Sequence, residues 1–167
     1  MKAGLAYLQK NGKALAAKGV KPVCPFQQVF QSLYLFGAFS AITGDHFMLE
    51  MPNCNAACFQ AFLDEFSKQN CDEFKVMVLD NGAFHKTKSL NIPENIALIF
   101  LPPYSPELKP AEKMWAKLKR KFTNRLFNSL EMLSDFICDI TKNIENVTVK
   151  STCAFSYIFE DQFLTIL

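Results

Sequence analysis

The stretch from Val76 to Phe122, VMVLDNGAFHKTKSLNIPENIALIFLPPYSPELKPAEKMWAKLKRKF, carries most of the information about the fold of this chain. It contains two short apolar runs, 76–79 and 96–101, which are continuous rather than alternating. Such runs are typical of strands that are covered on both faces of a sheet. The first run ends on Asp80-Asn81-Gly82 and the second on Pro102-Pro103, so each predicted strand is followed at once by a turn or a stiff loop.

Two helices are predicted after these strands. Pro110 fits a first helical turn, where its missing N–H costs nothing, and Trp115, Leu118 and Phe122 form an inward stripe behind it. A second helix is predicted from Ser129, as its N-cap, to about Asn143. Its core face is expected to comprise Leu130, Leu133, Phe136, Ile137 and Ile140, with Met132 nearby.

The upstream sequence predicts a hairpin and a helix. VFQSLYLFGAFSAI (29–42) and HFMLEM (46–51) are β-rich runs joined by the turn Thr43-Gly44-Asp45. Asn53 can cap a helix that runs to about Gln69, because apolar residues recur there at three- and four-residue spacing. No repeat or linker divides the sequence, so 1–167 is predicted to be one domain, with 1–17 and 144–167 poorly assigned.

Charge is unevenly distributed along the chain. The net charge is +2, yet the first 44 residues hold five lysines and no acid, which leaves −3 for the rest. Residues 109–125 carry seven basic side chains against Glu112, a local +6. This segment is expected to face an anion, although charge runs more commonly form the solvated face of an amphipathic helix.

Cysteine usage and hydropathy set the expected compartment. Six cysteines without a cleavable leader favour reduced thiols and a cytoplasmic protein. The uncharged span 22–44 contains Gln27, Gln28 and Gln31, so a buried strand explains it better than a membrane helix. A zinc site could be drawn from His46, Cys54, Cys58 and Cys71, but no paired ligand motif is present and buried thiols are the simpler interpretation.

Two acids stand beyond the ends of the predicted strands. If these strands are parallel neighbours, Asp80 and Glu112 can converge at one sheet edge, where a carboxylate pair can hold Mg²⁺ or Mn²⁺. Two such ions support displacement at phosphorus. Asp80-Asn81-Gly82 is also a good hairpin turn, and Glu112 also suits a helix N-terminus. On pattern alone, these structural interpretations are favoured.

The combination of motifs in 76–122 resembles the catalytic core of DDE transposases, in the bacterial insertion-sequence branch of the mariner superfamily. The resemblance rests on Asp80-Asn81 after a strand with His85 following, the elbow LPPYSPEL (101–108), and Pro110-Ala111-Glu112 with Trp115 opening a helix. GVKPV and LFGAFSAITGD upstream are also similar to this family. The resemblance covers roughly residues 18–130.

The resemblance implies an RNase H-like α/β fold: a central mixed β-sheet flanked by α-helices. It also implies three acids that bind two Mg²⁺ or Mn²⁺ ions for DNA strand cleavage and strand transfer at insertion-sequence ends. Asp80 would be the second acid and Glu112 the third. The elbow would deliver Glu112 to the metals, with Asn81, His85, Tyr104, Ser105 and Lys109 near the site. Phosphate backbone contacts are expected from Lys113, Lys117, Lys119, Arg120, Lys121 and Arg125.

Two features depart from the family pattern. The first acid should lie on the first strand, but residues 1–44 contain no Asp or Glu, and Asp45 belongs to the hairpin turn. The first strand is therefore expected to be missing or incomplete, as in an N-terminally truncated transposase. Lys109 replaces the Asn expected before Pro110, which removes a helix cap worth about 1 kcal/mol.

Three functions follow from this pattern. The first is a transposase catalytic core that is inactive alone, acting on element ends and target DNA as a homodimer or with an upstream transposase half. The second is a non-catalytic fragment that binds DNA or transposase and regulates it. The third is a decayed remnant. The predicted location is the cytoplasm, with association with the nucleoid when the protein is bound to DNA and no membrane partner. In the third case, exposed sheet edges would promote aggregation.

Overall fold

The computed structural model describes residues 2–6, 17–19, 21, 32–80, 82, 85, 89–101, 110–123 and 125–154. Within them the chain forms five strands and four helices. The strands are β1 (Lys2–Ala6), β2 (Ser32–Phe39), β3 (His46–Met51), β4 (Lys75–Leu79) and β5 (Ile96–Phe100). The helices are α1 (Ala56–Lys68), α2 (Pro110–Lys121), α3 (Leu130–Lys142) and α4 (Asn146–Cys153).

Strands β1, β2 and β3 form an antiparallel meander. The predicted hairpin is present, because β2 pairs with β3 from Tyr34 opposite Met51 to Phe39 opposite His46. The turn between them is closed by the Ser40 N–H, which donates to the Asp45 carbonyl at 2.8 Å. Asp45 also accepts a 3.1 Å hydrogen bond from Asn146 Nδ2, so its carboxylate ties the turn to the start of α4.

The first strand was expected to be missing or incomplete, and it is not missing. β1 pairs with β2 along its whole length, from Lys2 opposite Phe36 to Ala6 opposite Ser32. It has five residues against eight in β2. A backbone ladder needs no particular side chain, so the strand can form although its sequence, KAGLA, contains no acid. What the first strand lacks is therefore a carboxylate.

Strands β4 and β5 pair in parallel, from Lys75 opposite Ile96 to Leu79 opposite Phe100. The pairing continues past the strand ends through the Leu101 N–H, which donates to the Leu79 carbonyl at 2.8 Å. The carboxyl ends of both strands consequently lie at the same edge, as a parallel ladder requires. The two short apolar runs thus form strands, as predicted, and they meet the condition of parallel pairing under which Asp80 was expected at this edge.

Helices pack on both faces of β2. Leu35 lies in a buried cluster with Ala111, Trp115 and Leu118 of α2 and the core residues of α3. The next residue, Phe36, points to the opposite face and packs in a second cluster with α1. The members of that cluster are Phe36, Met51, Phe59, Phe62, Leu63, Met77, Leu79 and Ile96. Because this cluster contains residues of β2, β3, β4 and β5, α1 joins the meander to the parallel pair.

One expectation about β4 and β5 is wrong. Met77 and Leu79 are buried, but Val76 beside them is 57% exposed, and Ile99 of β5 is 51% exposed. In the part of the chain that the structure describes, α1 covers one face of this pair and the other face stays open to solvent. Continuous apolar runs therefore did not establish burial on both faces.

The N-termini of α1 and α3 are determined by the residues that cap them. The α1 helix begins later than predicted, because Asn55 rather than Asn53 caps it, accepting from the Cys58 N–H at 2.9 Å. The α3 helix is capped as predicted by Ser129, whose hydroxyl accepts from the Met132 N–H at 3.2 Å. None of the four described helices combines the length and apolar character needed to cross a membrane.

The α4 helix was not predicted, since residues from 144 onward showed no clear periodicity. Its sequence, NVTVKSTC, has only two buried residues, Val149 and Cys153, which pack with Met114 of α2. A helix held by so few side chains gives a weak hydrophobic pattern, and β-branched residues favour it little. Packing against α2 therefore decides its conformation.

Candidate active site at the end of strand β4

Asp80 directly follows β4, at the edge where β4 and β5 both end. Its side chain is 37% exposed, so the carboxylate lies at the surface of the core rather than inside it. The Gly82 N–H donates to Asp80 Oδ1 at 3.3 Å, which closes a local turn. This turn is not the hairpin considered from the sequence, because the strand that follows β4 runs parallel to it.

His85 lies beside Asp80 and is almost fully buried, at 2% exposure. Its Nε2 is 3.4 Å from Asp80 Oδ1, and its backbone N–H donates to the Gly82 carbonyl at 3.0 Å. The imidazole ring meets the ring of Phe59 edge to face, with centroids 4.5 Å apart. Phe59 belongs to α1 and is itself fully buried. A side chain enclosed in this way is not exposed to contact a phosphate group.

Glu112 lies in the first turn of α2 with its side chain exposed to solvent. The helix is anchored by Ala111, Met114 and Trp115, all buried. The Trp115 ring packs edge to face on Phe39, with centroids 5.4 Å apart. It also approaches Gly37 so closely that an added Cβ would lie 2.9 Å from Trp115 Cη2. The position of Glu112 is thus fixed by the packing of its helix on β2.

Basic side chains cover the outer surface of α2. Lys113, Lys117, Arg120 and Lys121 are exposed, and Lys119 is partly exposed, as the sequence predicted from their positions off the apolar stripe. Arg125, beyond the helix, is exposed with its guanidinium 4.4 Å from the ring centroid of Phe136. These basic side chains therefore lie on the same helix as Glu112.

Burial changes the chemistry of one thiol near this helix. Cys153 of α4 packs against Met114, and desolvation raises its pKa to about 11, although the positive charge of Lys113 opposes the shift. This thiol is therefore protonated and unreactive at neutral pH.

Part of the predicted site lies outside the described residues. This holds for Asn81, Tyr104, Ser105 and Lys109, and for most of the elbow at 101–108. The route by which the chain passes from β5 to α2 stays a prediction, as does the role of Lys109 before the helix.

The donor chemistry of the two acids suits a hard divalent cation, since carboxylate oxygens are the ligands that Mg²⁺ and Mn²⁺ prefer. Among the residues that the structure describes, no three His, Cys, Asp or Glu side chains form a group that could hold a metal ion. Asp80 stands at the end of β4 and Glu112 in the first turn of α2. The suggested zinc ligands Cys54, Cys58 and Cys71 form no such group within these residues either.

Sequence reasoning placed Asp80 and His85 close together but missed how they are supported. Phe59 lies on another element, 26 positions before His85, and was assigned only to a helix face. Gly82 was interpreted as a turn residue, whereas an added Cβ would lie 2.7 Å from His85 Cδ2. A glycine between an acid and a histidine was the one signal that could have indicated this close approach.

Comparison with known proteins identifies the class. Residues 5–134 match the family model described as DDE superfamily endonuclease, and the chain belongs to this family. The match begins within β1, upstream of the region where the sequence resemblance began.

The chain is also similar to one protein of known sequence and to several solved structures. The chain is 35% identical over 107 residues to the uncharacterized protein y4pE/y4sA of Sinorhizobium fredii, an alignment covering 63% of this chain and 79% of that protein. The Mos1 transposase paired-end complex with left transposon end matches with a TM-score of 0.68 at 15% identity, covering 92% of this chain and 49% of that chain. The Mos1 mariner paired end complex with Mn matches with a TM-score of 0.65 at 16% identity, covering 92% and 50%.

At this level of identity the structural matches establish the fold, which is the RNase H-like fold expected from the sequence. The chain spans about half the length of the transposase chains that it matches.

Proposed function

We propose that this chain is the catalytic domain of a DNA transposase, in which Asp80 and Glu112 bind divalent metal ions for strand cleavage and strand transfer. The main supporting observation is the position of Asp80 directly after β4, at the edge where β4 and the parallel strand β5 both end, within a chain that belongs to the DDE endonuclease family. Residues at this edge of a parallel pair are placed by the rigid ladder, which suits them to catalysis.

The two carboxylates would act as metal ligands and DNA would be the substrate. When bound, Mg²⁺ or Mn²⁺ activates the attacking oxygen and stabilises charge on the leaving oxygen. In each step an oxygen of water or of a DNA hydroxyl forms a bond to phosphorus while the bond to the departing sugar oxygen breaks. The attacking group loses its proton to solvent and the departing oxygen gains one. Solved Mos1 complexes with Mn and with Mg support this choice of ions.

A third carboxylate has to complete the site. The family resemblance places the first acid on the first strand, and β1 contains none; nor does any other part of residues 1–44. We propose that another polypeptide supplies this carboxylate, so that the chain alone binds metal more weakly than a complete site and does not cut DNA efficiently.

The substrate would be double-stranded DNA at element ends, held in part by the basic surface of α2. This surface is formed by Lys113, Lys117, Lys119, Arg120 and Lys121, with Arg125 beyond it. Lysine and arginine contacts to phosphates give affinity and position but little sequence selection. The Mos1 structures are paired-end complexes, which supports the assembly of two copies of this chain on DNA.

The proposal is tested with the purified chain, Mn²⁺ and DNA taken from either side of its own coding sequence. Polypeptide translated from the three frames immediately upstream is added in a parallel series. We expect Mn²⁺ binding by the chain alone, and nicks at discrete positions when the missing carboxylate is supplied. Asp80→Asn and Glu112→Gln should each weaken Mn²⁺ binding and abolish the nicks, because each removes one charged ligand.

Asp135→Asn provides the matched control, since Asp135 is an exposed carboxylate on α3, a helix that carries neither Asp80 nor Glu112. The proposal is overturned if Mn²⁺ does not bind, or if binding and nicking persist in the Asp80 and Glu112 variants. Metal-independent DNA binding without nicks in any series would instead support the second candidate, a regulatory fragment that binds DNA or transposase. The absence of an acid from residues 1–44 is the observation that favours this candidate.

A further inference from the structure

We infer that His85 is a positioning residue, which holds the Asp80 carboxylate in one orientation while Phe59 and Gly82 fix the imidazole ring. The inference concerns the orientation of Asp80 and can be tested without metal. Its consequence for metal binding rests on the function proposed above.

The side chains of His85 and Asp80 lie close together. His85 Nε2 lies 3.4 Å from Asp80 Oδ1, and the Gly82 N–H donates to the same oxygen at 3.3 Å. Both groups therefore approach Oδ1 and together determine the direction in which Oδ2 points. The distances are longer than those of ordinary hydrogen bonds, as is common for catalytic contacts before a substrate or metal is bound.

The imidazole ring has little freedom to move. It is 2% exposed and packs edge to face on Phe59, a geometry that aromatic rings favour. Its backbone is tied to Gly82 by a 3.0 Å hydrogen bond from the His85 N–H to the Gly82 carbonyl. A ring held on these sides can orient a carboxylate, because reorienting the ring would disturb the cluster packed on α1.

Gly82 supplies the space for this arrangement. A Cβ at residue 82 would lie 2.7 Å from His85 Cδ2 and 3.2 Å from Asp80 Oδ1. Both distances are below normal contact, and the ring is too enclosed to yield freely. An alanine here would therefore push the histidine and the carboxylate apart without removing either group.

A histidine is suited to this position by its two distinct ring nitrogens. A neighbouring carboxylate favours the tautomer that carries hydrogen on Nε2, which can then donate to Oδ1. In metal sites, partners that orient a ligand in this way affect metal affinity about 10–100-fold. Replacing the imidazole of His85 by an apolar side chain of similar volume should therefore weaken metal binding by a factor in that range.

The experiment uses three variants and one control. His85→Leu keeps an apolar side chain of similar size on Phe59 but removes the donor, and His85→Gln restores an N–H near the position of Nε2. Gly82→Ala displaces the ring. His46→Leu is the matched control, because His46 is the only other histidine in the sequence and its Nε2 lies 3.3 Å from the Thr141 carbonyl, on α3.

Two readouts separate positioning from metal binding. The first is the side-chain rotamer distribution of Asp80, measured by NMR scalar couplings on the metal-free full chain. We expect one dominant rotamer in the wild type and in the His46→Leu and His85→Gln proteins. His85→Leu and Gly82→Ala should show rotamer averaging while keeping a cooperative melting transition.

The second readout is the Mn²⁺ affinity, measured by electron paramagnetic resonance. We expect it to fall about 10-fold or more in His85→Leu and Gly82→Ala, and to recover largely in His85→Gln. A wild type that does not bind Mn²⁺ would overturn the proposed function, but the rotamer distributions would still decide the role of His85. An unchanged Asp80 rotamer in folded His85→Leu overturns the inference, as does averaging already present in the wild type.

Discussion

The two acidic residues of the candidate site are supported in different ways. Asp80 is partly buried, and its orientation depends on nearby contacts to a buried histidine and a glycine N–H. Glu112 is exposed on the first turn of α2, and its position depends on how the whole helix packs through Trp115 on β2. One side of the site is thus held by local contacts, and the other by the placement of a helix. Substitutions in the two supporting clusters should therefore affect the two acids separately.

The largest expected effect follows from removing the aromatic side chain in each cluster. Trp115→Ala and Phe59→Ala should each lower the free energy of unfolding by about 3–5 kcal/mol, because each leaves a cavity in a buried cluster. Urea denaturation measures this loss, and amide hydrogen exchange shows its location. We expect faster exchange mainly in α2 for Trp115→Ala and mainly in α1 and around Asp80 for Phe59→Ala.

Met132→Ala serves as the control for these two variants. Met132 is 50% exposed on α3, so its truncation should change stability by less than about 0.5 kcal/mol. Equal acceleration of exchange throughout the molecule in both aromatic variants would show that the two clusters unfold as one unit. The distinction drawn between the two acids would then not hold.

The second prediction concerns the thiol behind α2. Burial raises the pKa of Cys153 from 9.0 to about 11, so at pH 8 its thiolate population should be about 100-fold below that of an ordinary cysteine. A thiol reagent should therefore label Cys153 far more slowly than the exposed Cys71, as mass spectrometry of labelled peptides would show.

The same shift predicts the direction of a pH effect on stability. The folded-state pKa is raised, so the contribution of Cys153 is fully present below pH 9 and is lost as the pH rises toward 11. Cys153→Ser should flatten this decline relative to the wild type. If Cys153 were labelled as fast as Cys71 in the folded protein, α4 would be opening readily from α2.

The smallest expected effect comes from single charges on the basic surface of α2. Lys117→Gln or Lys121→Gln should reduce the slope of log affinity against log salt by about 0.9 for each phosphate that the removed charge had neutralised. Fluorescence anisotropy with a duplex at several salt concentrations measures the slope. Lys142→Gln on α3 is the control and should leave it unchanged. If all three variants kept the wild-type slope, the DNA would have to bind elsewhere on the molecule.

The elements with strong periodicity were predictable from the sequence. The hairpin, α1, β4, β5, α2 and α3 all form near their predicted positions, because hydrophobic spacing indicates the type and approximate length of each element. The α1 cap was placed at Asn53 instead of Asn55, since two asparagines precede the helix and either can cap it. The helical spacing of the apolar residues also correctly predicted that the basic residues of α2 lie away from its apolar stripe.

Elements that depend on pairing or packing were not predictable. The first strand was expected to be missing or incomplete because its acid is absent, yet hydrogen bonds to β2 form it regardless of side chains. Burial of β4 and β5 on both faces was inferred from continuous apolar runs, but the exposure of Val76 and Ile99 shows one open face in the described structure. The α4 helix exists because it packs on α2, which its own sequence does not reveal.

The family and the strand ends could be recognised in the amino-acid sequence, because short-range motifs and hydrophobic spacing encode these features. The assignment of Asp80 and Glu112 as metal ligands stays a prediction. The parallel pairing of β4 and β5, which excludes a hairpin at Asp80, became known from the folded chain alone. The folded chain alone also revealed that His85 is buried between Asp80 and Phe59. These features arise from contacts between residues on different elements, and no local pattern specifies which partners will meet.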